Sequence, residues 1–210
     1  MPPVLITLVL ILSAYLIGSL SGSLLLGRLR GVDIRTQGSG NAGGTNALRT
    51  QGWKFALGVV LVDVGKGVLA AWAGLHFAPE NGPFTPMCLG FMAALTAVVG
   101  HVWPLWHGFR GGKGVGTLLG ALLVLWPIAV PWMLLVWIVV LVTTGYVGLA
   151  SVLAVMVLLP LAWCSGAEPA RLWFACAAAL LVVFTHRGNL QRLRAGTESR
   201  FERVRLLRRR

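Results

Sequence analysis

The residues best equipped for chemistry fall in one stretch, Gly100-His101-Val-Trp-Pro-Leu-Trp-His107-Gly-Phe-Arg110-Gly111-Gly112-Lys113-Gly114-Val-Gly116-Thr117. Its last ten residues contain five glycines together with Arg110, Lys113 and Thr117. Glycine-dense backbone can turn N–H groups around an anion, because no Cβ blocks the approach and positive φ is accessible. Lys113 adds a mobile point charge. Thr117 adds a hydroxyl near an expected helix start, where the dipole also favours anions. The chemistry implied is the holding of a phosphate-sized anion. The flanking segments are apolar enough to lie in a bilayer, so the anion would be held at a membrane surface.

Two further polar islands belong with this one. The first, residues 38–49, reads GSGNAGGTNALR. Residues 38–43 satisfy GxGxxG with Asp63 about twenty positions on, the dinucleotide pattern. That pattern needs a preceding strand within a βαβ unit, whereas here an apolar run long enough to span a membrane precedes it, so the dinucleotide reading is rejected. What survives is a glycine turn carrying Ser39, Asn41, Thr45, Asn46 and Arg49, the last suited to bidentate phosphate contacts. The Lys113 stretch is likewise not a nucleotide P-loop, since His107 and Gly114 stand where that pattern needs Gly and Ser or Thr. His101 reads equally well as a substrate donor or as an interfacial histidine capping a span. In the third island, residues 186–198, His186 directly follows an apolar run and Asn189 lies one helical turn on, on the same face. A histidine at a membrane boundary beside an amide suits a base or an orienting donor, and a plain juxtamembrane basic cluster is the competing reading.

The elements that must position these islands are membrane helices. The 210 residues are 57% hydrophobic and only 11% charged, against about 25% charged in soluble domains. Mean hydropathy is +0.80. The net charge of +12 fits basic loops on the cytoplasmic side and a tail near anionic lipid, rather than nucleic acid. Cys88, Cys164 and Cys176 read as small core hydrophobes, and the four histidines are too scattered for a metal site. Apolar runs are expected near 4–26, 55–78 and 87–100, then near 118–130, 131–145, 147–163 and 170–186. The spacing of prolines and glycines leaves five or seven crossings open. Asp63 and Lys66, i and i+3 within the second run, are expected to pair and buttress the site. Gly18, Ser19, Gly22 and Ser23 form a small-residue face for close packing. Basic residues after the first run, and nine arginines from Arg187 onward, predict an outside N-terminus and a cytoplasmic C-terminus. All three islands then share one side.

In order and spacing, GSGNAGGTNALR, GHVWPLWHGFRGGKGVGT and HRGNLQRLRAGTE resemble the three motifs of the bacterial acyl-phosphate:glycerol-3-phosphate acyltransferases, and DVGKG at 63–67 matches as well. Gly44 and Gly116 stand where that family usually has alanine, and the arginine-rich residues 201–210 extend past its pattern. The resemblance covers residues 1–200 as one transmembrane acyltransferase domain. It implies an all-α, polytopic integral membrane bundle of seven transmembrane helices in the bacterial inner membrane, with its active site on the cytoplasmic side. It implies acyl transfer from acyl phosphate to the 1-hydroxyl of glycerol 3-phosphate, giving lysophosphatidate and phosphate, with no cofactor, metal or obligate protein partner, and with anionic lipids around it. By the resemblance, Ser39, Asn41, Thr45, Asn46 and Arg49 contact the substrates, Gly111, Gly112, Lys113 and Gly114 hold phosphate, and His186, Asn189 and Glu198 complete the site. The rival reading is a transporter of phosphate or an organophosphate anion; broken helices with glycine loops serve that too.

Overall fold

The computed structural model describes residues 1–166 and 168–201, so the arginine-rich tail expected at 201–210 lies, apart from Phe201, outside the described residues. Among the described residues all regular structure is helical, and the chain divides into two units, residues 1–126 and 127–210. The first unit contains α1 (Pro3–Gly18), α2 (Gly22–Leu29), α3 (Gly44–Gln51), α4 (Trp53–His76), α5 (Pro86–Val102) and α6 (Val115–Leu125), with 3-10 turns at Ile34–Thr36 and Leu105–His107. The second contains α7 (Ala129–Thr144), α8 (Val147–Met156), α9 (Leu158–Cys164), α10 (Pro169–Thr185) and α11 (Arg187–Arg194).

Among the described residues three segments are long and apolar enough to cross a membrane: Trp53–His76, Pro86–His107 and Val147–Cys164. Two bent pairs, α1 with α2 (49°) and α10 with α11 (57°), raise the number to five; α6 and α7 are apolar but shorter. Helix is the form such segments take, since lipid offers no partner to an unpaired backbone group. Local signals set the ends. Thr85 Oγ1 accepts the Cys88 N–H at 3.2 Å with Pro86 at the first helical position of α5, and Gly145, in the left-handed region, ends α7. The four apolar segments expected between 118 and 186 are present as helices. The first run differs from the uninterrupted span expected there: it breaks after Gly18 and restarts at Gly22.

In the first unit α4 lies against α1, α5 and α6, and α1 packs on α5. Glycines let these backbones touch. A Cβ on Gly18 would run into the Ala97 backbone, one on Gly100 into the Tyr15 carbonyl, one on Gly67 into the Thr117 carbonyl and one on Gly120 into that of Val64. Close approach through small residues is how membrane helices gain contact without a hydrophobic driving force. In the second unit α7 packs on α8, and α10 packs on α8 and α9. Leu5, Leu8, Leu12, Leu61 and Leu180 face outward, as suits a surface solvated by acyl chains. The cysteines depart from their expected core placement: Cys88 is half-buried, and Cys164 and Cys176 are exposed. The buried positions of α10 are instead Phe174, Ala175, Ala178, Ala179 and Val182.

Two glycines of α6 should respond oppositely to alanine. At Gly120 the added methyl meets backbone, and overpacking of this kind costs about 1–3 kcal/mol or more. At Gly116 the nearest atom is the Asp63 Cβ at an ordinary 3.5 Å, so alanine gains about 0.5–1 kcal/mol of helix preference. Thermal unfolding in detergent should therefore rank Gly116→Ala above the natural chain and Gly120→Ala below it.

Candidate active site

The break between α1 and α2 leaves backbone polar groups without helical partners. The Leu20 carbonyl accepts from Lys66 Nζ at 2.8 Å, and the Gly22 N–H donates to Asp63 Oδ1 at 3.1 Å. Lys66 Nζ and Asp63 Oδ1 are themselves 3.1 Å apart and both side chains are buried, the pairing expected from their spacing. His101, at the end of α5 and 3% exposed, completes the group. Its Nδ1 lies 2.8 Å from Lys66 Nζ and 3.4 Å from Asp63 Oδ1. An ammonium has only donors, so Nδ1 accepts from it and Nε2 carries the ring proton. Nε2 is turned towards Gly112, where a Cβ would collide with it and would also crowd the Ala42 carbonyl. Gly112 is thus wedged between the buried centre and the first polar island.

The first island is a turn pinned from inside by Asn46, which is 2% exposed. Its Oδ1 accepts the Ser39 N–H at 3.0 Å, and its Nδ2 donates to the Ile34 and Gln37 carbonyls at 3.1 and 3.0 Å. Gly38 and Gly40 take positive φ. Three of the four hydrogen-bonding positions of the Asn46 amide are consumed by backbone, so it shapes the loop that presents Ser39 and Asn41. Thr45 and Arg49, four apart on α3, share a face, while Asn46 is turned into the protein.

The Lys113 stretch is anchored at its start to α1: Tyr15 Oη donates to the Trp103 carbonyl at 2.8 Å, and Leu105 N–H donates to Ser19 Oγ at 3.3 Å. It then turns through Gly108 and Phe109, both at positive φ. Phe109 is the only non-glycine there among the described residues, a conformation that costs an L-residue about 1–2 kcal/mol. The Gly111 and Gly112 N–H groups donate back to the Val102 and His101 carbonyls, each at 3.1 Å. Their backbone amides, expected to face an anion, are therefore engaged by the end of α5; these glycines are required instead for close packing against His101 and Pro104. The donors that geometry leaves for an anion lie at the start of α6, whose first-turn N–H groups have no helical acceptor, beside Lys113 and Gly114. Thr117 is fully buried, and its Oγ1 has no hydrogen-bond partner among the described residues.

A bridge from outside the three islands joins the approaches to both loops. Arg35 Nη1 donates to the His107 and Arg110 carbonyls at 3.1 and 3.2 Å, while Nε and Nη2 grip the Asp33 carboxylate, Nη2 at 2.7 Å from Oδ2. Asp33 also caps the Ile34–Thr36 turn by accepting the Arg35 N–H. The hydrogen bond from Arg35 holds the Asp33 carboxyl down at about 2, below its ordinary 3.8, and Asp33 in turn raises the guanidinium. A single arginine among the basic residues of one loop carries no sequence signal that could have singled it out.

In the second unit His186 ends α10 and is 3% exposed. Its Nδ1–H donates to the Val182 carbonyl at 2.8 Å. Asn189 Nδ2 donates to Glu198 Oε1 at 2.6 Å, and Arg192 Nε donates to Oε2 at 2.7 Å. Glu198, its side chain 7% exposed, ties the chain after α11 back onto that helix. Gly148 of α8 lies against Asn189, with no room for a Cβ.

Against known proteins, a family model described as glycerol-3-phosphate acyltransferase matches residues 8–196. The chain belongs to the glycerol-3-phosphate acyltransferase family. It is 39% identical to a glycerol-3-phosphate acyltransferase of Chlorobaculum parvum, over 92% of this chain and 95% of that one. It is 42% identical to one of Clostridioides difficile, over 88% and 90%. In fold it is similar to PlsY, an integral membrane glycerol 3-phosphate acyltransferase, solved in a glycerol 3-phosphate form, with a TM-score of 0.85, 34% identity and coverage of 93% of this chain and 95% of that chain. With its apolar helices, this member of the family is an integral membrane protein of the PlsY type. The family match runs through the first two islands and into the third.

The buried centre predicts a coupled pair. Asp63→Asn leaves Lys66 buried without its counter-charge and should cost about 3–5 kcal/mol. Adding Lys66→Met should recover part of that loss, measured by thermal unfolding in detergent. The Asp33–Arg35 pair should hold fully above pH 3.8 and be lost only as pH falls towards 2, because the folded carboxyl is depressed. Acid titration of the Asp33 carboxyl by ¹³C NMR checks this.

Proposed function

We propose that the chain transfers a fatty acyl group from acyl phosphate to the 1-hydroxyl of glycerol 3-phosphate, giving lysophosphatidate and phosphate. The observation that carries the reading is the stitching together, at the ends of membrane helices, of two donor-rich loops that bear Ser39, Arg49 and Lys113. Family membership names the acceptor, and the PlsY neighbour has been solved in both a glycerol 3-phosphate form and a lysophosphatidic acid form. Both proposed substrates are phosphates and one has a hydrocarbon tail, so a cationic pocket at a bilayer boundary suits them. We place that pocket on the cytoplasmic side of the bacterial inner membrane, in a bundle of seven crossings with the N-terminus outside.

Acyl phosphate is already activated. The glycerol hydroxyl attacks its carbonyl carbon, the C–O bond to phosphate breaks, and phosphate leaves with the electron pair. No acyl-enzyme is needed, and catalysis rests on positioning and on fixed donors to the developing oxyanion and the leaving phosphate. Lys113, Gly114 and the first turn of α6 hold phosphate, and Ser39, Asn41, Thr45 and Arg49 contact the substrates. His186, Asn189 and Glu198 are assigned to the same reaction. The hydroxyl proton goes to the departing phosphate or to a basic side chain, for which His186 is the candidate, and on our reading no side chain is indispensable as base.

Purified protein mixed with palmitoyl phosphate and glycerol 3-phosphate, without CoA, should release lysophosphatidate and phosphate in equal amounts. Vesicle uptake of labelled glycerol 3-phosphate without acylation would instead favour transport. Lys113→Ala should lower kcat/KM by about ten- to a hundredfold, since a charge-assisted contact is worth roughly 1.5–3 kcal/mol. His186→Gln should keep the shape of the pH–rate profile; its collapse with binding intact would make His186 the base.

A further inference from the structure

We infer that Asp33 and Arg35, which lie outside all three islands, are a positioning pair that sets the conformation of the Lys113 loop. The inference rests on the proposed reaction only for its kinetic consequence.

The planar guanidinium is used on two edges. One edge is saturated by the Asp33 carboxylate, and the other donates to two carbonyls three residues apart, His107 and Arg110. Between those carbonyls lie Gly108 and Phe109, both left-handed at φ 64° and 59°. A bulky residue keeps such a backbone only where its surroundings over-determine it, and Arg35 is the side chain that cross-links the turn from both ends. Two residues after Arg110 the chain reaches Gly112, wedged under His101, and then Lys113. The direction of that turn therefore decides where the lysine starts. Arg35 itself is fixed from the other side: Asp33 caps the 3-10 turn whose Ile34 carbonyl, with that of Gln37, receives Asn46. One guanidinium thus transmits the set of the Ser39 loop to the Lys113 loop. Lysine cannot replace it, because an ammonium is a point charge without the fork geometry. Arg35 also lines a cavity of about 540 Å³ beside Arg28, Trp106 and His107. Truncation consequently widens existing space and does not hollow a packed core.

The test combines hydrogen–deuterium exchange with kinetics on the full chain in detergent, using Arg35→Ala, Arg35→Lys and Arg35→Ala with Phe109→Gly. The amides of His107, Phe109, Gly111 and Gly112 are all hydrogen-bonded to residues 101–104 and serve as reporters. Both single variants should exchange there at least tenfold faster, with α4 and α5 unchanged, and should lose tenfold or more in kcat/KM for glycerol 3-phosphate with palmitoyl phosphate. Phe109→Gly, which removes the steric demand on the turn, should recover threefold or more of the loss in Arg35→Ala. If Arg35→Ala does not fold, Arg35→Lys decides. Natural exchange at the four amides in either folded variant overturns the pair's hold on the turn, and so does the absence of any recovery with Phe109→Gly. Faster exchange with unchanged kinetics overturns the positioning role. A natural chain that does not turn over this substrate pair refutes the proposed function, while the exchange arm still decides the inference.

Discussion

A carboxylate and an ammonium cannot be buried among membrane helices unless something answers every one of their charges and hydrogen bonds. In the first unit the answer is a break in another helix. The Leu20 carbonyl and Gly22 N–H, freed where α1 gives way to α2, take Lys66 and Asp63 as partners. Neither feature is tenable alone: an open helix in lipid leaves unpaired backbone, and an unpaired charge there is costly. Together they cancel, and His101 joins them from α5. Three elements far apart in sequence are thereby held in one register, and the imidazole carries that register to Gly112.

Around this centre, glycine has three uses. At Gly18, Gly67, Gly100 and Gly120 it lets helix backbones touch. At Gly38, Gly40, Gly108 and Gly114 it supplies left-handed backbone for the loops. At Gly111 and Gly112 it makes room for His101 and Pro104 while the amides bond inward. Only a hydrogen-bond accounting separates the last use from anion binding, because composition is the same in each. The start of α6, whose first-turn N–H groups no helical carbonyl answers, emerges from that accounting with donors to give.

How much was legible in the sequence follows from the range of each signal. Apolar runs and the prolines between them are local, so the helices after residue 118 and the Asp63–Lys66 pair were readable. The three islands were readable because many donors in few residues are rare between apolar segments. The break at 19–21 was not, since its cause is Asp63 and Lys66, more than forty residues away. An amide in a glycine turn looks alike whether it faces in or out, so by sequence Asn46 suits a substrate contact; its burial against Ile34 and Gln37 is a tertiary fact. The exposure of Cys164 and Cys176 is hidden from the sequence for a related reason. In a membrane helix, small apolar residues sit as comfortably against lipid as against protein, so the pattern that marks a core in water loses its meaning.

The shortness of α6 has a consequence for its neighbours. Eleven residues rise only about 16 Å at 1.5 Å each, roughly half of the hydrocarbon depth of about 30 Å. A helix of that length cannot reach both interfaces of a bilayer, so protein rather than lipid has to answer the backbone groups at its ends. Gly67 and Gly120 let α4 and α6 meet backbone to backbone, and the long α4 thereby serves as the jacket on which a short α6 depends.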